Sequence, residues 1–355
     1  MEFPCDKAIL LHSKESLTEA LKVQKIITVP SELVLLKEPN NFKSVSDVIK
    51  ALQMSHLEAS WDVNISSGTK IMSVALYSAF VNFNAPCRLF HIEQNGLVHH
   101  LLPLIKSEIL NTYLPVKSYF KFAGYHLKSY SDFKFIEKDT LALYHISRSI
   151  FLGKKYKSEI TKLFSLYRRH SNTCTPAVSF SVGPIGKGSE IKWDAAESKL
   201  TLYINGTEKY ILKGKNAIEI LLHTKWFELE VAQILKKWDK TKEMLWEVTV
   251  STSEGEDKNE IDLIVNTGNK LLFVECKTSV YDVKDIDKFH NVTKNYGGMG
   301  AKAILITFSP LKKNMIERCE FNNIIYFTLA YDNNSITNAK KLYSLLNEEV
   351  VKSNK

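Results

Sequence analysis

The sequence predicts an α/β protein built as two domains. Three features carry that reading. Strand and helix patterns alternate through about the first 130 residues, short alternating runs broken by Gly, Pro and Asn fill 177–213, and strands and helices alternate again from 226 onward. At about 100–200 residues per domain, 355 residues accommodate two.

The first half opens with an apolar run at 8–12, followed by Ser13, Lys14 and a helical stretch over 16–26. Residues 32–36 read as a second strand and 44–58 as a second helix, with Val45, Val48, Ile49 and Leu52 on one face. After a strand at 61–65, Met72, Ala75, Leu76, Ala79, Phe80 and Phe83 recur at helical spacing and predict an amphipathic helix over 69–83. A further strand covers 88–92. This order predicts a mostly parallel sheet with helices on both faces, a Rossmann-like domain at 1–135, followed by a helical connector at 136–176. The second domain, 177–348, begins with an antiparallel patch. A helix over 226–238, a strand over 244–250, a hairpin over 260–277, a helix near 283–294 and a strand over 303–308 follow.

Composition excludes several classes. With 45% hydrophobic and 24% charged residues the chain is neither disordered nor fibrous. No apolar run approaches the ~18 residues of a membrane span. The start, Met1 to Asp6, is acidic where a secretory leader is basic. Five scattered cysteines without a CxxC pair give neither a disulfide framework nor a zinc ribbon. The expectation is a cytoplasmic protein with no membrane association. The net charge of +8 is compatible with a polyanionic partner.

The hairpin carries the chemistry. Glu260-Ile261-Asp262-Leu263-Ile264-Val265 and Leu271-Leu272-Phe273-Val274-Glu275-Cys276-Lys277 flank a turn at Gly268-Asn269. That turn sets Asp262 opposite Glu275 and Glu260 opposite Lys277, all on one face. The other face holds Ile261, Leu263, Val265, Leu272, Val274 and Cys276. Opposed carboxylates repel, and a hard divalent cation resolves the conflict. Lys277 aims a positive charge at the same spot, suited to orienting a water or stabilising a charged transition state. The alternative is a surface hairpin with a Glu–Lys pair. Upstream, the helix at 226–238 bears Glu228 and Glu230 on opposite flanks of its apolar face, each about 80° from the centre. Either can also be a first-turn acid favoured by the helix dipole.

Asp262 followed by Glu275-Cys276-Lys277 resembles the PD-(D/E)xK core of restriction-endonuclease-like nucleases. The resemblance implies Asp262 and Glu275 as metal ligands, Lys277 as a catalytic cation and a helix carboxylate as a further ligand. The Trp226-Phe227-Glu228 order favours Glu228 over Glu230. Glu260 is expected to stand behind the ligands, holding one of them or a water on the metal.

In the first half, Asn64-Ile65-Ser66-Ser67-Gly68-Thr69-Lys70 joins a strand to a helix, a turn that presents backbone N–H groups to an anion. It is neither a GxGxxG fingerprint nor a P-loop. The alternative is plain helix capping by Ser66 or Ser67. The loop bearing Ser13 falls at the same edge of the sheet. Asn64, Ser66, Gly68 and Lys70, with Ser13, resemble the CARF domain, the CRISPR-associated Rossmann fold that senses cyclic oligoadenylates. The order CARF, connector, PD-(D/E)xK resembles the cyclic-oligoadenylate-activated ancillary nucleases of type III CRISPR systems. Thr224-Lys225-Trp226-Phe227-Glu228 and Tyr296-Gly297-Gly298-Met299 add to the likeness, and Lys225 departs from it where relatives commonly carry glycine.

The resemblance implies a homodimer binding cyclic tetra-adenylate between its CARF domains through Ser13, Asn64, Ser66, Ser67, Gly68, Thr69 and Lys70. It implies Mn²⁺ or Mg²⁺ as cofactor, and single-stranded DNA or RNA or plasmid DNA as substrate, in antiviral defence. A ligand-independent restriction- or repair-type endonuclease is the alternative. A nucleotide-sensing regulator with an inactive nuclease fold is a third reading, which predicts a missing acid or lysine, and none is missing. His99-His100 has no acid in register and reads as structural.

Overall fold

The structure is a computed structural model, and it describes residues 4–93, 96–110, 112–153, 155–170, 174–252, 259–298, 300–329 and 335–351. Two compact units divide at Tyr125/His126.

The first unit runs β1 (Ala8–His12), α1 (Leu17–Gln24), β2 (Ser31–Leu35), α2 (Phe42–Ser55), β3 (Trp61–Asn64), α3 (Lys70–Val81), β4 (Cys87–Ile92), β5 (Leu97–Leu102), β6 (Lys106–Ile109) and α4 (Val116–Ala123). The predicted alternation is present, but the sheet differs from the expected mostly parallel one. β1 pairs β2 in parallel, and a separate ladder runs β3-β4-β5-β6, parallel only between β3 and β4. The short link from β4 to β5 explains this, because a parallel return needs a crossover of a dozen or more residues. Val45 and Ile49 of α2 and Met72, Ala75 and Phe80 of α3 pack with Leu36, Val63 and Leu89 into the core. The face predicted to be apolar on α3 is the one buried. Its opposite face is apolar too, with Ile71, Val74, Tyr77 and Val81 exposed.

The second unit runs β7 (Tyr125–Asp132), α5 (Lys138–Leu152), α6 (Lys157–His170), β8 (Phe180–Ile185), β9 (Ser189–Asp194), β10 (Lys199–Ile204), β11 (Thr207–Lys213), α7 (Ala217–Leu221), α8 (Lys225–Leu235), β12 (Glu243–Thr252), β13 (Asn259–Asn266), β14 (Leu271–Lys277), α9 (Val283–Gly297), β15 (Lys302–Thr307), α10 (Lys313–Phe321), β16 (Ile324–Thr328) and α11 (Ser335–Leu346). The expected antiparallel patch is the four-stranded sheet β11-β10-β9-β8. A six-stranded sheet orders β16-β15-β14-β13-β12-β7. It is antiparallel from β12 to β14 and parallel from β14 to β16.

The segment expected as a connector is integral to this unit. Leu143 and Ile150 of α5 and Leu163 and Tyr167 of α6 share one core with Leu263, Val265, Leu272 and Val274. α8 is buried nearly all round, which its Trp226, Phe227, Leu229, Val231, Ala232 and Leu235 require. Among the described residues no helix is long and apolar enough to cross a membrane.

Candidate functional site

The hairpin forms in the register its turn predicts, with Leu263 facing Val274, Val265 facing Leu272 and Asn266 facing Leu271. Gly268 takes φ +103°, a conformation glycine adopts freely. The ladder stops one rung before Asp262 and Glu275. There Asp262 Oδ2 accepts the Cys276 backbone N–H at 2.7 Å. A carboxylate taken out of water needs such a donor, and the backbone N–H supplies it where a flat rung would set acid against acid. Lys277 Nζ lies 2.7 Å from Glu275 Oε1. Ile261, Leu263, Val265, Leu272, Val274 and Cys276 are all buried, as predicted.

The neighbouring ladder opens at the same place. β12 pairs β13 at Trp246–Leu263 and at Val248–Ile261, with no rung between Glu247 and Asp262. Glu247 has φ +52°, left-handed backbone that a glutamate seldom adopts. Asp262 therefore sits where both of its neighbouring ladders part.

Helix α8 separates the two candidate acids. Glu228 Oε2 accepts the Trp246 indole N–H at 3.0 Å. Glu230 is buried against α5, where Tyr144 donates to its Oε2 and Arg148 Nε donates to the same atom at 2.7 Å. Glu228 belongs to the acid cluster, and Glu230 is a structural tie. At the start of the helix Lys225 Nζ pairs with Glu247 Oε1 at 2.5 Å and lies 3.9 Å from Glu219. Glu260 is exposed, across the strand pair from Thr249.

Burial first, and charge crowding second, set the electrostatics. Burial raises the Glu228 carboxyl to about 7, with Glu247 and Glu260 adding to the rise and Trp246 and Lys225 opposing it. Burial, then Glu275 and Glu228, push Asp262 well above the usual carboxylate range, against the pull of Lys277 and the Cys276 N–H. For Lys277 burial disfavours the charge, but Glu275 and Asp262 outweigh it and the ammonium is held more tightly than usual. Burial raises the Cys276 thiol well above its ordinary value, so Cys276 is packing and not a nucleophile.

The donor set fits a hard divalent cation: oxygen ligands only, partly dry, and carboxylates whose mutual repulsion a cation removes. Among the described residues, no three His, Cys, Asp or Glu side chains close into a ready cage.

In the first unit, Asn64 Oδ1 accepts from the Ser66 N–H at 2.9 Å and from its hydroxyl, whose oxygen in turn accepts the Ile92 N–H at 2.6 Å. Helix α3 is capped by Thr69, whose Oγ1 accepts the Met72 N–H at 3.2 Å and donates to Pro39 O at 3.0 Å, rather than by Ser66 or Ser67. Gly68 turns the chain at φ +91°. Ser67 and Lys70 are exposed. The Ser13 hydroxyl stands 3.3 Å from that of Ser16 at the start of α1. Because β1 and β2 are parallel partners and Thr69 reaches Pro39, the loops after β1, β2 and β3 gather at one edge. His99 and His100 do have acidic partners, Glu93 and Glu108, each at 2.7 Å. Register alone missed them, because Glu108 reaches His100 on a diagonal and Glu93 lies beyond the end of β4.

Sequence reasoning also missed Trp246 and Glu247. The only signal was a glutamate inside the apolar run Leu245-Trp246-Glu247-Val248.

Residues 5–119 match the family model of the Card1 CARF domain, and residues 215–328 match that of the Card1-like endonuclease domain. No curated protein sequence matches the chain. Among solved structures, Can2 from Sulfobacillus thermosulfidooxidans in complex with cyclic tetra-adenylate aligns at 17% identity, 98% of this chain and 93% of that one, with a TM-score of 0.62. Protein VC1899 from Vibrio cholerae aligns at 17% identity, 97% and 92%, with a TM-score of 0.70. A type III CRISPR defence DNA nuclease activated by cyclic oligoadenylate aligns at 13% identity over 95% of this chain but 48% of its own, with a TM-score of 0.52. At these identities the likeness is one of fold. Met299, part of the motif noted above, lies outside the described residues.

Proposed function

We propose that this chain, which joins a CARF domain of the Card1 family to a Card1-like endonuclease domain, is a cyclic-oligoadenylate-activated nuclease of type III CRISPR defence. The observation that carries the proposal is the cluster of Asp262, Glu275, Glu228 and Lys277, four ionisable groups drawn together at the parting of two ladders. Asp262 is desolvated, with Glu275 and Glu228 both raising its proton affinity further, an arrangement expected where a cation is to be held.

Asp262 and Glu275, with Glu228, would hold Mn²⁺ or Mg²⁺ in a PD-(D/E)xK arrangement. Such an ion, when bound, lowers the pKa of a water and offsets charge on a phosphoryl oxygen. The Cys276 N–H fixes one oxygen of Asp262 and so holds the carboxylate in place for an ion. Trp246 fixes Glu228 in the same way. Lys277, held by Glu275, keeps a permanent positive charge beside the reacting phosphodiester. Glu260 lies at the exposed margin, suited to a water-mediated contact.

The messenger loop reads in the same terms. Ser67, Lys70 and the backbone of Gly68 are the exposed groups open to a phosphate of cyclic tetra-adenylate, while the Ser13 hydroxyl would have to exchange its contact with Ser16, and the Thr69 N–H its contact with Met72 Sδ, to join them. Asn64 and Ser66 shape the turn, since their hydrogen bonds go to the loop itself and to Ile92. The exposed apolar face of α3 (Ile71, Val74, Tyr77, Val81) supports a homodimer, which would bury it against a second copy. Single-stranded DNA or RNA, or plasmid DNA, is the substrate this reading names.

The test is cleavage of single-stranded DNA, RNA and plasmid with Mn²⁺ or Mg²⁺, across a panel of cyclic oligoadenylates, with Glu275→Ala as control. Messenger-dependent cleavage supports the proposal. Equal rates without messenger favour the ligand-independent endonuclease. No cleavage under any condition, with messenger bound, favours the regulator.

A further inference from the structure

Two consecutive residues of β12 reach the same helix. Trp246 donates to Glu228 and Glu247 accepts from Lys225, and these two helix residues are three apart on α8. In a regular strand, neighbouring side chains point to opposite faces, so one of the two would turn away. The left-handed backbone at Glu247 breaks that alternation. It does so directly across from Asp262, at the one missing rung of an otherwise continuous β12–β13 register. A glutamate in that conformation is uncommon, and such residues concentrate at functional sites.

We infer that Glu247 is a positioning residue: through Lys225, and by letting Trp246 share its side of the strand, it fixes the first turn of α8 so that Glu228 is presented to the cation site. The inference rests on the metal-site reading above. A free Glu228 would have several rotamers to choose from, and ordering it would cost affinity at the moment of metal binding. The two contacts from β12 remove that cost in advance.

The experiment separates side chain from backbone. Glu247→Gly keeps the left-handed conformation and removes the carboxylate. Glu247→Val opposes the conformation itself. Glu247→Gln is the conservative control, and Trp246→Phe removes the second contact. Mn²⁺ affinity is measured on the full chain by electron paramagnetic resonance without substrate, alongside circular dichroism and the metal dependence of cleavage. The expected result for Glu247→Gly is a Mn²⁺ Kd weakened about tenfold, the size of one charge-assisted hydrogen bond. The metal KM would rise with it, while kcat at saturating Mn²⁺ stays within about threefold. Trp246→Phe should act in the same direction, Glu247→Gln should recover part of the loss, and Lys225→Met combined with Glu247→Gly should cost no more than either alone. If the glycine and phenylalanine variants both fold and bind Mn²⁺ as the parent does, the positioning role is overturned. If the parent itself binds no Mn²⁺, the metal-site reading falls and this inference with it.

Discussion

The mouth of the β13–β14 hairpin and the loop between β3 and α3 treat their polar groups in opposite ways. At the hairpin, Asp262, Glu275 and Glu228 are brought together with Lys277 in close reach of them, and two ladders open to allow it. At the β3–α3 loop, Asn64, Ser66 and Thr69 spend their hydrogen bonds on their own turn and its neighbours, leaving Ser67 and Lys70 exposed. The first region holds unfavourable charge that a cation would relieve. The second holds little, and offers an anion a turn already shaped by its internal bonds. A site of the first kind should be sensitive to single charges and pH; one of the second should lose affinity by degrees.

The largest effect expected is at the hairpin. Glu275→Ala or Lys277→Ala should lower the cleavage rate by at least ~10³-fold, in line with losing a preorganised charge at the reacting centre. The metal-free Glu275→Ala protein should melt no lower than the parent, because one of two repelling carboxylates is gone. A fall of several degrees would show that the acids stabilise the fold instead. Next, Lys70→Ala should weaken cyclic tetra-adenylate binding about 10–100-fold by calorimetry, while cleavage at saturating messenger is retained. Loss of cleavage at saturation would place Lys70 in transmission rather than binding.

Two neighbouring glutamates give a sharper contrast. Glu230→Ala should cost about 1–3 kcal/mol in urea unfolding, because it removes the buried acceptor of Tyr144 and Arg148, with the ion pair discounted for the partial exposure of Arg148. Glu228→Ala should cost the metal-free protein no stability at neutral pH and should reduce Mn²⁺ affinity. The last expected effect is in pH. The Glu228 carboxyl is raised to about 7 in the fold from an ordinary 4.5. Between those values the folded state keeps a proton that the unfolded state releases, so metal-free stability should fall as pH rises from about 4.5 to 7 and level off above. Mn²⁺ displaces that proton, so its affinity should rise over the same window. Melting curves with EDTA and with Mn²⁺ check both signs.

Much of this was legible in the sequence because period and turn chemistry act locally. The Gly268-Asn269 turn fixed the register of Leu263 with Val274, and the helical spacing of Met72, Ala75 and Phe80 found the buried face of α3. The choice of Glu228 over Glu230 as a ligand rests on family resemblance; what the sequence does not show is that the two glutamates have different partners, Trp246 for Glu228 and Arg148 for Glu230. Other features depend on contacts distant in sequence. Helices α5 and α6 pattern like any amphipathic connector, and only packing shows that Leu143 and Leu163 complete the second unit's core. The antiparallel turn of β5 and β6 was hidden because their polarity does not reveal strand direction. The left-handed Glu247 has no sequence signature, since glycine or asparagine would ordinarily mark such a backbone.

The most direct test of the central claim is anomalous diffraction from crystals grown with Mn²⁺, recorded for the parent and for Asp262→Asn. The account predicts a manganese peak bounded by the carboxylates of Asp262, Glu275 and Glu228 in the parent and a weakened or absent peak in the variant. A parent crystal in which those three carboxylates stay apart with no manganese between them would contradict it.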